Sequence, residues 1–208
     1  MMMNDTFIVS KAGYKHIAAA VAFFIIFALF GWGLFKFLSF AALIFFIFIY
    51  RNPERETPYF QTGSLVSPVD GKITAINTLD NGYEIVIKSS LLDTSILRVP
   101  FLSKVKSFHI RKGARLSTDI RKAMFLNEKF EVSFEDKDGH IMHIQHLLDN
   151  SIDDITANLH LDQEFNQGKR YGVMTKGKTI ITLPMTCRLS LHVGEKVRAG
   201  ETLLGYIT

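Results

Sequence analysis

The sequence predicts a mainly β protein, with an N-terminal transmembrane helical hairpin followed by a compact β domain. Three observations carry this. Two nearly uncharged apolar runs occupy residues 17–35 and 37–50. A proline-rich, charged stretch, RNPERETP (51–58), follows them. Beyond it, short β-branched segments recur between glycine turns, with little helical periodicity. The expected division is a membrane anchor over residues 1–52 and a β domain over 53–208.

The first run, IAAAVAFFIIFALFGWGLF, holds no charge and at about 1.5 Å per residue matches a bilayer core. Lys36 interrupts, and FLSFAALIFFIFIY follows as a shorter second arm that crosses or dips with Lys36 snorkelling. Neither run has the polar face of a helix buried in a soluble core. A cleaved signal peptide is disfavoured by the length of the apolar region and the want of a small-residue cleavage site. Lys11 and Lys15 precede the first arm, and Arg51 and Arg55 follow the second. Basic residues at both ends place both ends, and the β domain, on the cytoplasmic face.

RNPERETP reads as an extended linker. LVSPVDGKITAI (65–76) reads as strand, turn and strand, and YEIVIKS (83–89) and SILRVPFL (95–102) as further strands. KFEVSFEDKDGHIMHIQHL (129–147) alternates on both sides of Asp138-Gly139, a hairpin signal. KTIITL (178–183) is another strand, and LSLHVGEKVRAGETLLGYI (189–207) sets two glycine turns between short strands. Residues 117–126 and 149–160 are the places where a helical turn fits. The Pro68–Ile73 opening and the Gly194–Glu201 ending have the look of lipoyl- and biotinyl-type half-barrel hairpins, a likeness of fold that assigns no function.

The net charge of +4 creates no strong polyanion-binding field and implies no nucleic-acid partner, while a modest basic excess suits a protein beside anionic lipid. Cys187 is the single cysteine and cannot form an intramolecular disulfide. GVMTKGKT (172–179) fits the pattern G-x-x-x-x-G-K-[ST] of nucleotide-binding loops. Such a loop needs a buried strand before it and a helix after it, whose N-terminus faces the phosphates. Here the entry, NQGKRY, is polar, and the exit, IITLP, is β-branched and ends in proline. No nucleotide is expected.

Taken together and in order, these segments resemble the phosphatidylserine decarboxylase family in its short bacterial form, over nearly the whole chain. The family has an apolar hairpin, then R-[DN]-P-x-R, then S-P-x-D-G. Later come [RK]-[YF]-G-x-[IL]-x-x-G-S, a strand ending in Leu-Pro, and a glycine-rich hairpin. Arg51–Arg55, Ser67–Gly71, Arg170–Gly177, Leu183-Pro184 and Gly194–Gly205 match in turn.

The resemblance implies a place in phospholipid synthesis, the making of phosphatidylethanolamine from phosphatidylserine at a bacterial inner membrane. In that family the Gly-Ser bond cuts itself, and the serine becomes a pyruvoyl group that acts as electron sink for loss of CO2. At the position after Gly177 this chain has Lys178, which has no oxygen to shift or eliminate. No pyruvoyl cofactor is therefore expected at Lys178. Thr179 carries a hydroxyl one residue late, where cleavage would give a ketobutyryl group.

The family's acid–base Asp corresponds to Asp70, for which the ordinary turn reading of Pro-x-Asp-Gly also stands. The family's His lies in a V-H-V-N-R-type strand. His109, in SFHIRKGARL, is the best match, although counting from Phe101-Leu102 lands one residue away. His140, His143 and His146 are spaced by three; on an alternating strand His143 points away from the other two, so no metal site is expected.

The reading that follows is a non-cleaved, decarboxylase-like membrane protein. Its expected partners are a membrane lipid, with the phosphatidylserine headgroup as candidate, an active decarboxylase copy, or itself. Two alternatives are an active decarboxylase with an atypical site and a lipoyl-like membrane adaptor presenting Lys178.

Overall fold

The computed structural model of the protein describes residues 8–58 and 63–207. It forms two compact units, Met1–Glu54 and Arg55–Thr208.

In the first unit a 3-10 turn at Lys11–Gly13 leads into helix α1 (Tyr14–Leu29), which is followed by α2 (Gly33–Ile49). The segment Lys11–Leu29 is long and apolar enough to cross a membrane, and α2 is a shorter apolar helix. The expected break at Lys36 is not where the chain turns. Gly31 adopts φ +71, which ends α1, and α2 begins at Gly33, so Lys36 lies within the second helix. The arms are 14–29 and 33–49 rather than 17–35 and 37–50. Hydropathy alone cannot place such a turn, because Phe30 and Trp32 are as apolar as the helices they join.

The open end of this hairpin is closed by backbone bonds. Ser10 N–H donates to the Tyr50 carbonyl (2.8 Å) and Asn52 N–H to that of Ile8 (2.7 Å). Tyr50 is fully buried against Gly13, where a Cβ would fall 2.4 Å from the Tyr50 ring. His16 stacks on Phe46 at 5.0 Å between centroids. Along the helices the large side chains face outward: Phe23, Leu29, Leu34 and Phe37 are all more than half exposed. An apolar surface of this extent calls for an apolar surrounding.

The second unit is mainly β. In chain order it contains β1 (Ser64–Val66), β2 (Gly71–Leu79), β3 (Gly82–Ser89), β4 (Ile96–Arg98) and β5 (Ser103–Arg111). The single-turn helix α3 (Ala123–Leu126) follows, inside one of the two stretches where a helical turn fits. Then come β6 (Lys129–Glu135), β7 (Ile141–Leu148), β8 (Thr156–Ala157), β9 (Glu164–Phe165), β10 (Arg170–Val173) and β11 (Gly177–Pro184). The chain closes with β12 (Cys187–Leu189), β13 (Lys196–Val197) and β14 (Leu203–Ile207). The stretch 149–160 holds β8 and no helix.

An eight-stranded sheet in the order β13-β2-β3-β11-β7-β6-β5-β9 dominates. Two three-stranded sheets, β1-β14-β12 and β4-β10-β8, accompany it. Every pairing between these described strands is antiparallel. β11 lies between β3 and β7, so the strand that begins at Gly177 is central.

Antiparallel register places directly opposed residues on the same face. One row across the sheet reads Ile73, Ile87, Thr179, His146 and Phe130. All five are fully buried, and this row faces the core. The adjacent row, one residue along each strand, reads Lys196, Lys72, Lys88, Lys178, Leu147, Lys129 and Arg111; it lies on the opposite face, where the lysines are exposed or half-buried and Leu147 is covered. The period of two thus sends Thr179 inward and Lys178 outward.

Candidate active site

Asp70 stands at the turn immediately before β2, and its carboxylate is held on all sides. Arg55 donates to both oxygens, Nη1 at 2.5 Å and Nη2 at 2.7 Å. The Ala199 N–H donates at 2.7 Å and the Thr94 N–H at 3.3 Å. Arg55 Nη1 also donates to the Ala199 carbonyl (2.9 Å). Both side chains are 9% exposed. Burial by itself would push the Asp70 carboxyl up, but the Arg55 hydrogen bonds, the Ala199 N–H and the Arg55 charge outweigh it and hold the group below the usual carboxylate range. Burial likewise works against the Arg55 charge, and the bonds and charge of Asp70, with that of Glu201, raise its pKa nonetheless. Asp70 thus caps the Ala199 and Thr94 N–H groups and is also clamped by an arginine from the linker motif.

This cluster adjoins the segment around Gly177. The Ser89 hydroxyl donates to the Asp70 carbonyl (2.5 Å), and Ser89 is opposed in the sheet to Gly177. Gly177 is buried, and a Cβ there would fall 2.6 Å from the Leu147 carbonyl oxygen and 2.4 Å from Met174 Sδ. A side chain at this position would force these neighbours to shift. Just upstream, the Thr175 and Ser151 hydroxyls are 2.6 Å apart in the interior. Lys178 follows on the outer face, half-buried, between Lys88 and Leu147.

The inward side of the same strand carries a chain of polar groups that was not anticipated. His146 Nδ1 lies 2.9 Å from Thr179 Oγ1, and its Nε2 lies 2.6 Å from the Tyr171 hydroxyl. All three residues are fully buried, and the imidazole stacks on Phe130. Burial lowers the His146 pKa to about 3, so the ring is neutral, and pushes the Tyr171 phenol well above its ordinary value. A hydroxyl, an imidazole and a third group that orients it form the general pattern of an activated nucleophile. The sequence carries a signal for it: Met142, Ile144, His146 and Leu148 share the inward face of β7, which puts a histidine in an otherwise apolar row.

His109 sits elsewhere. It is exposed on β5, opposite Glu131, and β6 and β7 intervene before β11. At about 4.8 Å per strand it stands roughly 14 Å from the strand of Lys178. The structure links Asp70 to the strand of Gly177 through Ser89, and it does not bring His109 to either. β5 has a register shift between Val105 and Ser107. Such a bulge adds one residue, the size of the offset met on counting from Phe101. Of the three spaced histidines, His140 contacts Asp136 in the hairpin turn and His143 contacts Ser133, so they do not converge with His146.

A family model described as phosphatidylserine decarboxylase matches residues 42–205. The chain belongs to the phosphatidylserine decarboxylase family. Among its relatives, the phosphatidylserine decarboxylase proenzyme of Chlorobaculum parvum is 31% identical over 82% of this chain and 83% of its own. Those of Geobacter metallireducens and Syntrophotalea carbinolica are 29% and 27% identical, over 99% of this chain and 100% of theirs. No solved structure matches the chain. Asp70 is linked to the strand of Gly177 through Ser89, and Lys178, the residue after Gly177, carries no hydroxyl.

Proposed function

We propose that this member of the phosphatidylserine decarboxylase family is a membrane-anchored protein of phospholipid biosynthesis that does not process itself at Gly177-Lys178. One observation carries the reading: the residue after Gly177 is a lysine, whose side chain takes its place on the outer face of the sheet. An amine cannot make the ester that precedes elimination, nor form a Schiff base with the amine of a phosphatidylserine headgroup. The protein acts as an accessory, by binding a lipid headgroup or by pairing with an active copy. The exposed apolar flanks of α1 and α2 support an anchor, and the basic residues at both ends of the hairpin support a cytoplasmic β domain. β13 is bonded to β2, and β14 to β1, an interleaving of first and last strands that supports the half-barrel likeness.

A second reading is favoured by the Thr179–His146 contact. In it Thr179 Oγ1 attacks the Lys178 carbonyl carbon and gives its proton to His146. The amide becomes an ester, and elimination then releases the Lys178 carboxylate. The dehydrated residue left at the new N-terminus takes up water and loses ammonia, leaving a 2-oxobutyryl group.

Intact mass of the membrane-purified protein separates the readings, with Lys178→Ser measured beside the native chain. The first reading expects a whole native chain and a serine variant cut after residue 177. A native chain cut after residue 178, with a C-terminal piece lighter by one ammonia, would overturn it in favour of the second.

A further inference from the structure

The outward row across the sheet has a consequence separate from processing. Lys196, Lys72, Lys88 and Lys178 are consecutive partners on four adjacent strands, β13, β2, β3 and β11. Four ammonium groups thus share one face within about 14 Å, at about 4.8 Å per strand. Like charges placed directly opposite one another destabilise a sheet, so nothing in folding favours this arrangement. Two carboxylates face it: Asp119 meets Lys88 at 3.0 Å, and the buried Asp149 lies 3.7 Å from Lys88 and 3.9 Å from Lys176. Among the described residues no carboxylate pairs with Lys72, Lys178 or Lys196. The replacement of a serine by Lys178 extends the row from three members to four. Its other end, at Lys129 and Arg111, is neutralised or occupied: Lys129 contacts Glu131, and Arg111 donates to the Phe125 carbonyl. With Lys88 answered by Asp119 and Asp149, the row's positive charge without a carboxylate partner among the described residues rests on Lys72, Lys178 and Lys196, all on one half of the sheet.

We infer that the Lys196–Lys72–Lys88–Lys178 row is a docking surface for the anionic headgroups of the bilayer that holds the chain's own apolar helices. This rests on the membrane-anchor reading above. Charge complementarity selects the occupant. A leaflet rich in anionic lipid attracts juxtamembrane lysines within a Debye length of its surface, and the covalent tether at Glu54-Arg55 keeps the domain near such a leaflet. Lys178 then has a positive role, where a serine would have served cleavage.

The test uses the full chain in nanodiscs of phosphatidylcholine, with and without one-third phosphatidylglycerol (both faces being accessible). A brief amine-acylating pulse is read lysine by lysine by mass spectrometry. Anionic discs are expected to slow labelling of Lys72, Lys178 and Lys196 by about threefold or more, to leave exposed Lys137 and Lys169 unchanged, and to lose the effect at high salt. Equal rates in both discs, or equal slowing of all five lysines, would overturn the inference. So would protection by inorganic phosphate on phosphatidylcholine discs, which would assign the row to a free anion. The variant Lys72→Gln with Lys196→Gln should weaken the protection of Lys178, and undiminished protection there would also count against the row. Failure of the anchor reading looks different: the chain would then be missing from the disc fraction altogether.

Discussion

Asp70 and Lys178 lie two strands apart on one sheet and are joined through Ser89, yet they show opposite kinds of design. Asp70 is buried and answered by an arginine and two backbone N–H groups, so its charge is fixed in place. Lys178 is half-buried between Lys88 and Leu147, with no carboxylate partner among the described residues. On the reading proposed above, the difference teaches that the family's scaffold can be kept whole while the residue after Gly177 is exchanged. The register of β11 depends on Gly177 and on the inward row, not on what side chain stands at 178.

The largest blow to the Asp70 side of this comparison should come from Asp70→Ala. It leaves a buried guanidinium without its partner, and a loss of about 3–5 kcal/mol is expected in chemical denaturation of the full chain. A loss under about 1 kcal/mol would mean that solvent reaches Arg55 and that the clamp is not structural.

Next in size is the inward row. His146→Ala should cost about 3 kcal/mol, through the cavity and two hydroxyls left without a partner. The same residue sets a pH dependence. Its native pKa of about 3 lies below the ordinary value of 6.5, so the unfolded chain takes up a proton first as pH falls. The stability it contributes is complete above pH 6.5 and is lost on acidification towards pH 3, with a slope approaching about 1.4 kcal/mol per pH unit. Subtracting the profile of His146→Gln from that of the native chain isolates this term from the carboxylates that titrate in the same range. Parallel profiles would show that the ring is hydrated.

Gly177→Ala probes the point where the two regions meet. Its Cβ would press on the Leu147 carbonyl, and about 1–3 kcal/mol of destabilisation is expected from thermal melts. The smallest effect belongs to Lys178→Ser, which should change stability by no more than about 0.5 kcal/mol whatever it does to processing. A large loss there would make Lys178 a structural residue and would undo the contrast with Asp70.

Much of the β unit can be read from alternation. Segments 83–89, 129–135, 141–147 and 178–183 are strands because their odd–even patterning leaves no other way to bury Ile85, Phe130, Ile144 and Ile181. What escaped the sequence is what depends on contact at a distance. Arg55 is visible in the linker and Asp70 in the turn, but nothing local pairs them. His146 meets Tyr171 and Thr179 only because β11 inserts between β3 and β7. The helix break at Gly31 was hidden by the uniform hydropathy around it, and the distance of His109 from β11 is a matter of strand order, which periodicity does not encode.

The central position of β11 also governs how a cut chain would behave. A serine variant severed after residue 177 would leave a C-terminal fragment that supplies β11 through β14, with β11 held between two strands of the larger fragment in the eight-stranded sheet, β13 on the edge of that sheet, and β14 paired with β1 in another. The two pieces would interlock without any covalent bond. They would co-migrate on a native gel and part only in denaturant. Residues 1–177 and 178–208, expressed as separate genes, would then be expected to reassemble by fragment complementation.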